Sequence, residues 1–185
     1  MENNRLNIIA ESVREGSKAF NMERVDKISD VLSRLYIRMD PNTRSVDVVI
    51  QMAVFFARRT ASPELQLIHF LMGLLCVEKS IAVQMLEAEG VSIKDFKRDL
   101  CQMTGYREGA ELSNGPDLKT SNEITWLIKV AHDHRLQMGQ PWVNTGHLLL
   151  CLVQHSNMSK FPPLWMALRP VQLLSVKDLK DFEED

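Results

Sequence analysis

Two stretches, HFLMGLL at 69–75 and HLLLCLV at 147–153, are near copies of one another set 78 residues apart. The same offset carries Val46 onto Ile124, Val49 onto Leu127, Ile50 onto Ile128 and Ala53 onto Ala131, with no gap across the two apolar segments. Past an insertion in the second copy, SIKDFK at 92–97 meets SVKDLK at 175–180. Agreement at so many apolar positions marks an internal duplication, which restricts the chain to folds built from two like units.

The apolar spacing is helical nearly everywhere, and no stretch alternates as a half-buried strand would. A helix over about 4–15 can stop at Gly16, and a second carries the stripe Met22, Val25, Ile28, Val31, Leu32, Leu35 and Met39 until DPN at 40–42 ends it. Each copy then opens with a helix, about 46–60 and 123–138, whose small Ala53 or Ala131 lets a neighbour approach closely. A loop leads to the histidine helix. Ser62 and Pro63 are expected to open it in the first copy, and Asn144 or Thr145 in the second. SIAVQMLEAEG forms a third helix closed by Gly90, and Ser92 caps a fourth with Asp95 in its first turn. Thr120 and Glu123 fit a capping box at the start of the second copy. The fold class is therefore all-α: two tandem four-helix pseudo-repeats with an extra N-terminal helical pair. The expected layout is an extension at 1–42 and a double-repeat domain at 43–185. Within that domain, repeat one covers 43–104, a glycine-rich linker 105–119 and repeat two 120–185, whose SNMSKFPPLW stretch has drifted.

Composition narrows the function. A net charge of -2 gives no basic field for nucleic acid. Cys76, Cys101 and Cys151 form no C-x-x-C pair and suit a reducing compartment. The polar start is no secretory signal, and no apolar run reaches membrane-spanning length. A cytoplasmic protein without a membrane segment is the expectation.

The recurrent His69 and His147 invite a metal or acid-base role, yet duplication alone explains their recurrence. His147 and Cys151 share a helical face at the spacing of two zinc ligands, but lack two further ligands. His132 and His134, two apart, do not face each other on a helix. Catalysis needs a nucleophile, a base and an orienting group in register, and none is evident. No catalytic residue, metal or cofactor is expected, and the chain is not expected to be an enzyme. Leu74 and Leu152 belong to the core with Phe55, Phe56, Phe70, Met52, Met72 and Met85. The candidates for contact with a partner are the loop aromatics Tyr106, Trp142, Phe161 and Trp165, because such side chains are enriched where proteins meet.

HFLMGLLCVEKSIAVQMLEAEGVSIKDF and VNTGHLLLCLV, in that order, resemble the N-terminal domain of Clp-type AAA+ unfoldases over about 43–183. That resemblance implies an all-α fold with pseudo-twofold symmetry that receives adaptors and substrates. A phosphate-binding G-x-x-x-x-G-K-[ST] loop is missing, so a free-standing receiving domain is expected. It would be an adaptor, anti-adaptor or accessory subunit, with a Clp ATPase, protease subunit or substrate as partner. A peptide-binding domain serving a secretion or regulatory machine is the alternative. The family usually has a glutamate before each histidine, and in some members these acids bind phosphorylated-arginine or basic tags. Here Ile68 and Gly146 stand there, so a guanidinium would find no carboxylate.

Overall fold

The computed structural model describes residues 43–106 and 118–155, together with Leu168 and Leu179. The expected N-terminal helical pair, Phe161 and Trp165 lie outside these residues. Among them the chain forms α1 (Arg44–Arg59), β1 (Glu64–Leu65), α2 (Leu67–Cys76), α3 (Ile81–Ala88), α4 (Ile93–Thr104), β2 (Lys119–Thr120), α5 (Asn122–Gln137) and α6 (Thr145–Gln154). The duplication survives in the fold. Both ends of α1 and α5, and both ends of α2 and α6, are 78 residues apart.

Local chemistry accounts for most helix ends. Ser80 and Ser92 accept the backbone N–H of Val83 and Asp95, each at 3.3 Å, and so cap α3 and α4. Asn144 accepts the N–H of His147 at 3.1 Å and caps α6. Two expected starts differ. Ser62 and Pro63 do not open α2, which begins at Leu67 after Gln66. Glu64 and Leu65 instead pair in parallel with Lys119 and Thr120. Thr120 is thereby drawn into a strand, and Ser121 stands at the start of α5 in place of the expected capping box.

The strand pair belongs to a reciprocal exchange between the copies. Ser121 N–H donates to Leu65 O at 3.4 Å, and Thr43 N–H donates to Val143 O at 2.9 Å. Each bond maps onto the other by the 78-residue offset, with donor and acceptor copies reversed. Thr145 Oγ1 adds a further bond between copies, accepting Ala82 N–H at 3.2 Å.

The core runs between α1, α2, α3 and α6. Leu74, Leu152, Ala53 and Ala131 are fully buried, as are Phe70 and Met85. Phe56 and Met72 are nearly so, whereas Met52 and Phe55 remain half-buried. A Cβ on Gly73 would lie 2.6 Å from Val49 O and 3.3 Å from Ala53 N. The α1–α2 contact is thus backbone against backbone, which the small Ala53 allows.

Both first helices stop in the left-handed region, α1 at Ala61 (φ 51°) and α5 at Gly139 (φ 66°). Ser62 N–H closes back onto Ala57 O, and Gln140 N–H onto Arg135 O. Only glycine takes this conformation without Cβ strain. Replacing Ala61 with glycine should therefore raise stability by about 0.5–1 kcal/mol, read as a higher urea midpoint.

Candidate protein-docking site

The recurrent histidines are capping groups. His69 Nδ1 accepts Gln66 N–H at 3.1 Å, and His147 Nδ1 accepts Asn144 N–H at 3.0 Å. An Nδ1 that accepts leaves the proton of the neutral ring on Nε2. In copy one that N–H meets Thr60 Oγ1 at 3.3 Å, and Thr60 in turn donates to Phe56 O at 2.9 Å. In copy two His147 Nε2 is buried without a partner. The offset explains the orphan, because the counterpart of Thr60 is Met138. Both residues end their helices in similar geometry, φ -87° and ψ 4° against φ -83° and ψ -9°. Met138→Thr should supply the missing acceptor and stabilise the fold by about 1 kcal/mol, measurable by chemical denaturation.

These contacts leave little for catalysis. Burial pushes both His69 and His147 down to about 4, with His134 and Arg135 adding to the effect at His147. The rings are neutral at pH 7, with Nδ1 bonded in each and Nε2 bonded as well in His69. Cys151 meets His134 Nδ1 at 3.6 Å across α5 and α6, so its partner is not His147, the neighbour one turn away. Burial pushes the Cys151 thiol up to about 12 and that of Cys76 up to about 11. Neither is a thiolate near neutrality. Among the described residues no cluster of three His, Cys, Asp or Glu side chains could hold a metal ion. A cleft of about 560 Å³ between α2, α3 and α4 has Leu75, Val83 and Ile93 beside Glu78, Glu87, Lys79 and Lys97, a mixed-charge lining.

The loop aromatics separate. Tyr106 packs edge-on against Phe56 at 5.3 Å between ring centroids and is half-buried, so it closes the core more than it faces a partner. Trp142 is 53% exposed. Its loop is held from several sides: Arg135 Nη1 donates to Gln140 O at 3.2 Å and to Pro141 O at 3.1 Å, and Asn144 Nδ2 to Gln140 Oε1 at 3.1 Å. Leu136, at 63%, is exposed on the helix leading into that loop. The sequence reading missed Leu136 and also Trp126, which meets His155 edge-on at 4.6 Å and is 37% exposed. Trp126 stands at the duplicated position of Val48, itself 38% exposed, on the side of its helix away from the buried stripe. That pairing was the signal available.

The positions before the histidines are closed. Ile68 is buried, and any side chain at Gly146 would collide with the Leu179 and Ile81 side chains. Neither place presents a carboxylate to a ligand.

The family model for the Clp repeat (R) N-terminal domain matches residues 42–161. The chain belongs to the Clp N-terminal domain family. Similar solved Clp N-domains include that of ClpV from Vibrio cholerae, at 18% identity and a TM-score of 0.58, covering 85% of this chain and 92% of that one. The Hsp104 N-terminal domain from Candida albicans matches at 17% identity and a TM-score of 0.55, covering 76% and 87%. The N-terminal domain of the ClpV1 ATPase from E. coli matches at 15% identity and a TM-score of 0.58, covering 87% and 90%. Identities this low establish a common Clp N-domain fold and nothing finer. No curated protein matches the sequence.

Proposed function

We propose that this Clp N-domain is a non-catalytic protein-binding module serving a Clp-type chaperone-protease as an adaptor, an anti-adaptor or an accessory subunit. The observation that carries the reading is Trp142, left half in water on a loop that hydrogen bonds already hold in place. A large aromatic on a pre-organised loop gives contact area with little ordering entropy to lose. The closed positions at Ile68 and Gly146 argue for a ligand other than a guanidinium-bearing tag, and hence for a scaffold over a tag receptor. Cytoplasmic action is part of the same reading, since Cys76, Cys101 and Cys151 form no disulfide.

The test adds the purified protein to a Clp-type ATPase with its protease and follows degradation of a fluorescent substrate. A severalfold rise or fall in rate, accompanied by co-elution with the ATPase, is expected. An unchanged rate with no co-elution overturns the chaperone-protease role.

A second reading, service to a secretion machine, draws support from the ClpV neighbours. One of those structures accompanies work on the ClpV ATPase, the TssB-TssC sheath and the accessory HsiE protein of type VI secretion. Co-elution with a sheath component in place of a protease would favour it.

A further inference from the structure

Lys79 stands where a glycine would cost less. Its φ is 61°, and glycines occupy three of the five described positions in the left-handed region. A long side chain there is held against its own backbone preference. Local bonds fix the conformation: Gln84 Nε2 donates to Lys79 O at 2.8 Å, and Ser80 N–H donates to Val77 O at 3.3 Å. Lys79 lines the cleft of about 560 Å³ between α2, α3 and α4, so the strain sets an ammonium group on a cavity wall. Lys97 lines the same cleft. Burial raises the Cys76 thiol, and the nearby Lys97 charge partly offsets the rise. Lys97 is thus close to the end of α2, where the turn carrying Lys79 departs. Among the described residues neither lysine is in an ion pair, nor are Glu78 and Glu87.

We infer that this cleft holds the C-terminal tail of a partner polypeptide, its carboxylate between Lys79 and Lys97 and its apolar side chains on Leu75, Val83 and Ile93. This rests on the protein-binding reading and gives it a site and an occupant. Charge selects the occupant. Two ammonium groups beside the single carboxylate of Glu78 leave one unmatched positive charge at this end. That suits one carboxylate and not a phosphate, which carries nearly two charges. The turn at Glu78 and Lys79 walls the same end, so a chain that reaches the lysines stops there, as a terminus does. Glu87 lines the cleft from the last turn of α3, about 10 Å away along the helix axis. An extended tail covers that distance in about three residues. A lysine or arginine three before the last residue therefore meets Glu87. A terminal carboxylate is a recurring handle in peptide recognition.

The experiment titrates the full-length protein against an N-terminally labelled peptide, Gly-Gly-Lys-Leu-Val-Leu, by fluorescence anisotropy, with a free carboxylate or as the C-terminal amide. The free acid should bind about tenfold more tightly, the worth of a charge-assisted bond at the terminus. Lys97→Gln should erase that preference. Lys79→Gly should erase it too while raising the urea midpoint, a loss and a gain that a lysine serving the fold alone would not combine. Glu87→Gln should remove the advantage of this peptide over a twin with glutamine in place of lysine. Equal affinity for acid and amide overturns the site, as does a preference untouched by Lys97→Gln and Lys79→Gly. Failure of both peptides to bind overturns it as well. A lower urea midpoint for Lys79→Gly overturns the placement of Lys79 against its backbone, and Lys97→Gln then decides the site alone. None of these outcomes touches the protein-binding reading, which stands or falls on co-elution with the ATPase.

Discussion

Between pH 7 and pH 4 the folded protein should lose about 6 kcal/mol of stability, half of it from each copy's histidine. His69 and His147 are nearly or fully buried and held near a pKa of about 4, against an ordinary value of 6.5. Their folded-state pKa is depressed, so the unfolded chain binds protons first as the pH falls. The contribution is complete above pH 6.5 and is lost progressively down to about pH 4. Protonation also places an N–H on Nδ1, where it opposes the Gln66 or Asn144 N–H that the ring accepts. An ordinary domain has about 5–15 kcal/mol in total, so the protein should stand near its unfolding transition at pH 4. Urea midpoints from pH 7 to pH 4 read the slope directly. H69Q/H147Q keeps a side chain able to accept the cap N–H and removes the titration, so its profile should be much flatter. A wild-type midpoint that holds level over this range would sink the buried-cap account.

Gly73→Ala should destabilise the protein by about 3 kcal/mol, although alanine is the better helix former by about 1 kcal/mol. The added methyl meets Val49 O at 2.6 Å, and that carbonyl cannot turn aside without breaking α1. The counterpart position in copy two already carries the Cys151 side chain, against His134. Cys151→Ala there should cost only about 1 kcal/mol, the loss of a small buried group. Thermal melts of the two variants test the contrast. Comparable losses would mean that the two helix pairs do not differ in how closely their backbones approach.

What the sequence makes legible follows the range of the forces involved. The 78-residue offset predicts paired helices whose observed ends obey it, and the Ser92 cap is local enough to read by eye. His69 and His147 each accept the N–H of the residue three before it, a contact within reach of local sequence. Misreadings occur where a distant partner decides. Ser62-Pro63 is a good helix start in isolation, but pairing of Glu64 and Leu65 with Lys119 and Thr120 from the other copy displaces the start to Leu67. Thr120 loses its capping role to the same pairing. Cys151 shares a helix face with His147, yet its contact comes from His134 on another helix. Among the loop aromatics, exposure depends on tertiary neighbours, which covered Tyr106 with Phe56 and left Trp142 open.

The exchanged bonds, Ser121 to Leu65 and Thr43 to Val143, have a consequence for origin. A single unit holding only its own half of the exchange would have an unmatched donor and an unmatched acceptor. Two identical units would satisfy both, each lending its entry to the other's loop. The present chain is in that sense a homodimer written end to end. Fusion frees what a symmetric pair cannot vary: one face keeps Arg58 and Glu64 while its twin carries Leu136 and Trp142.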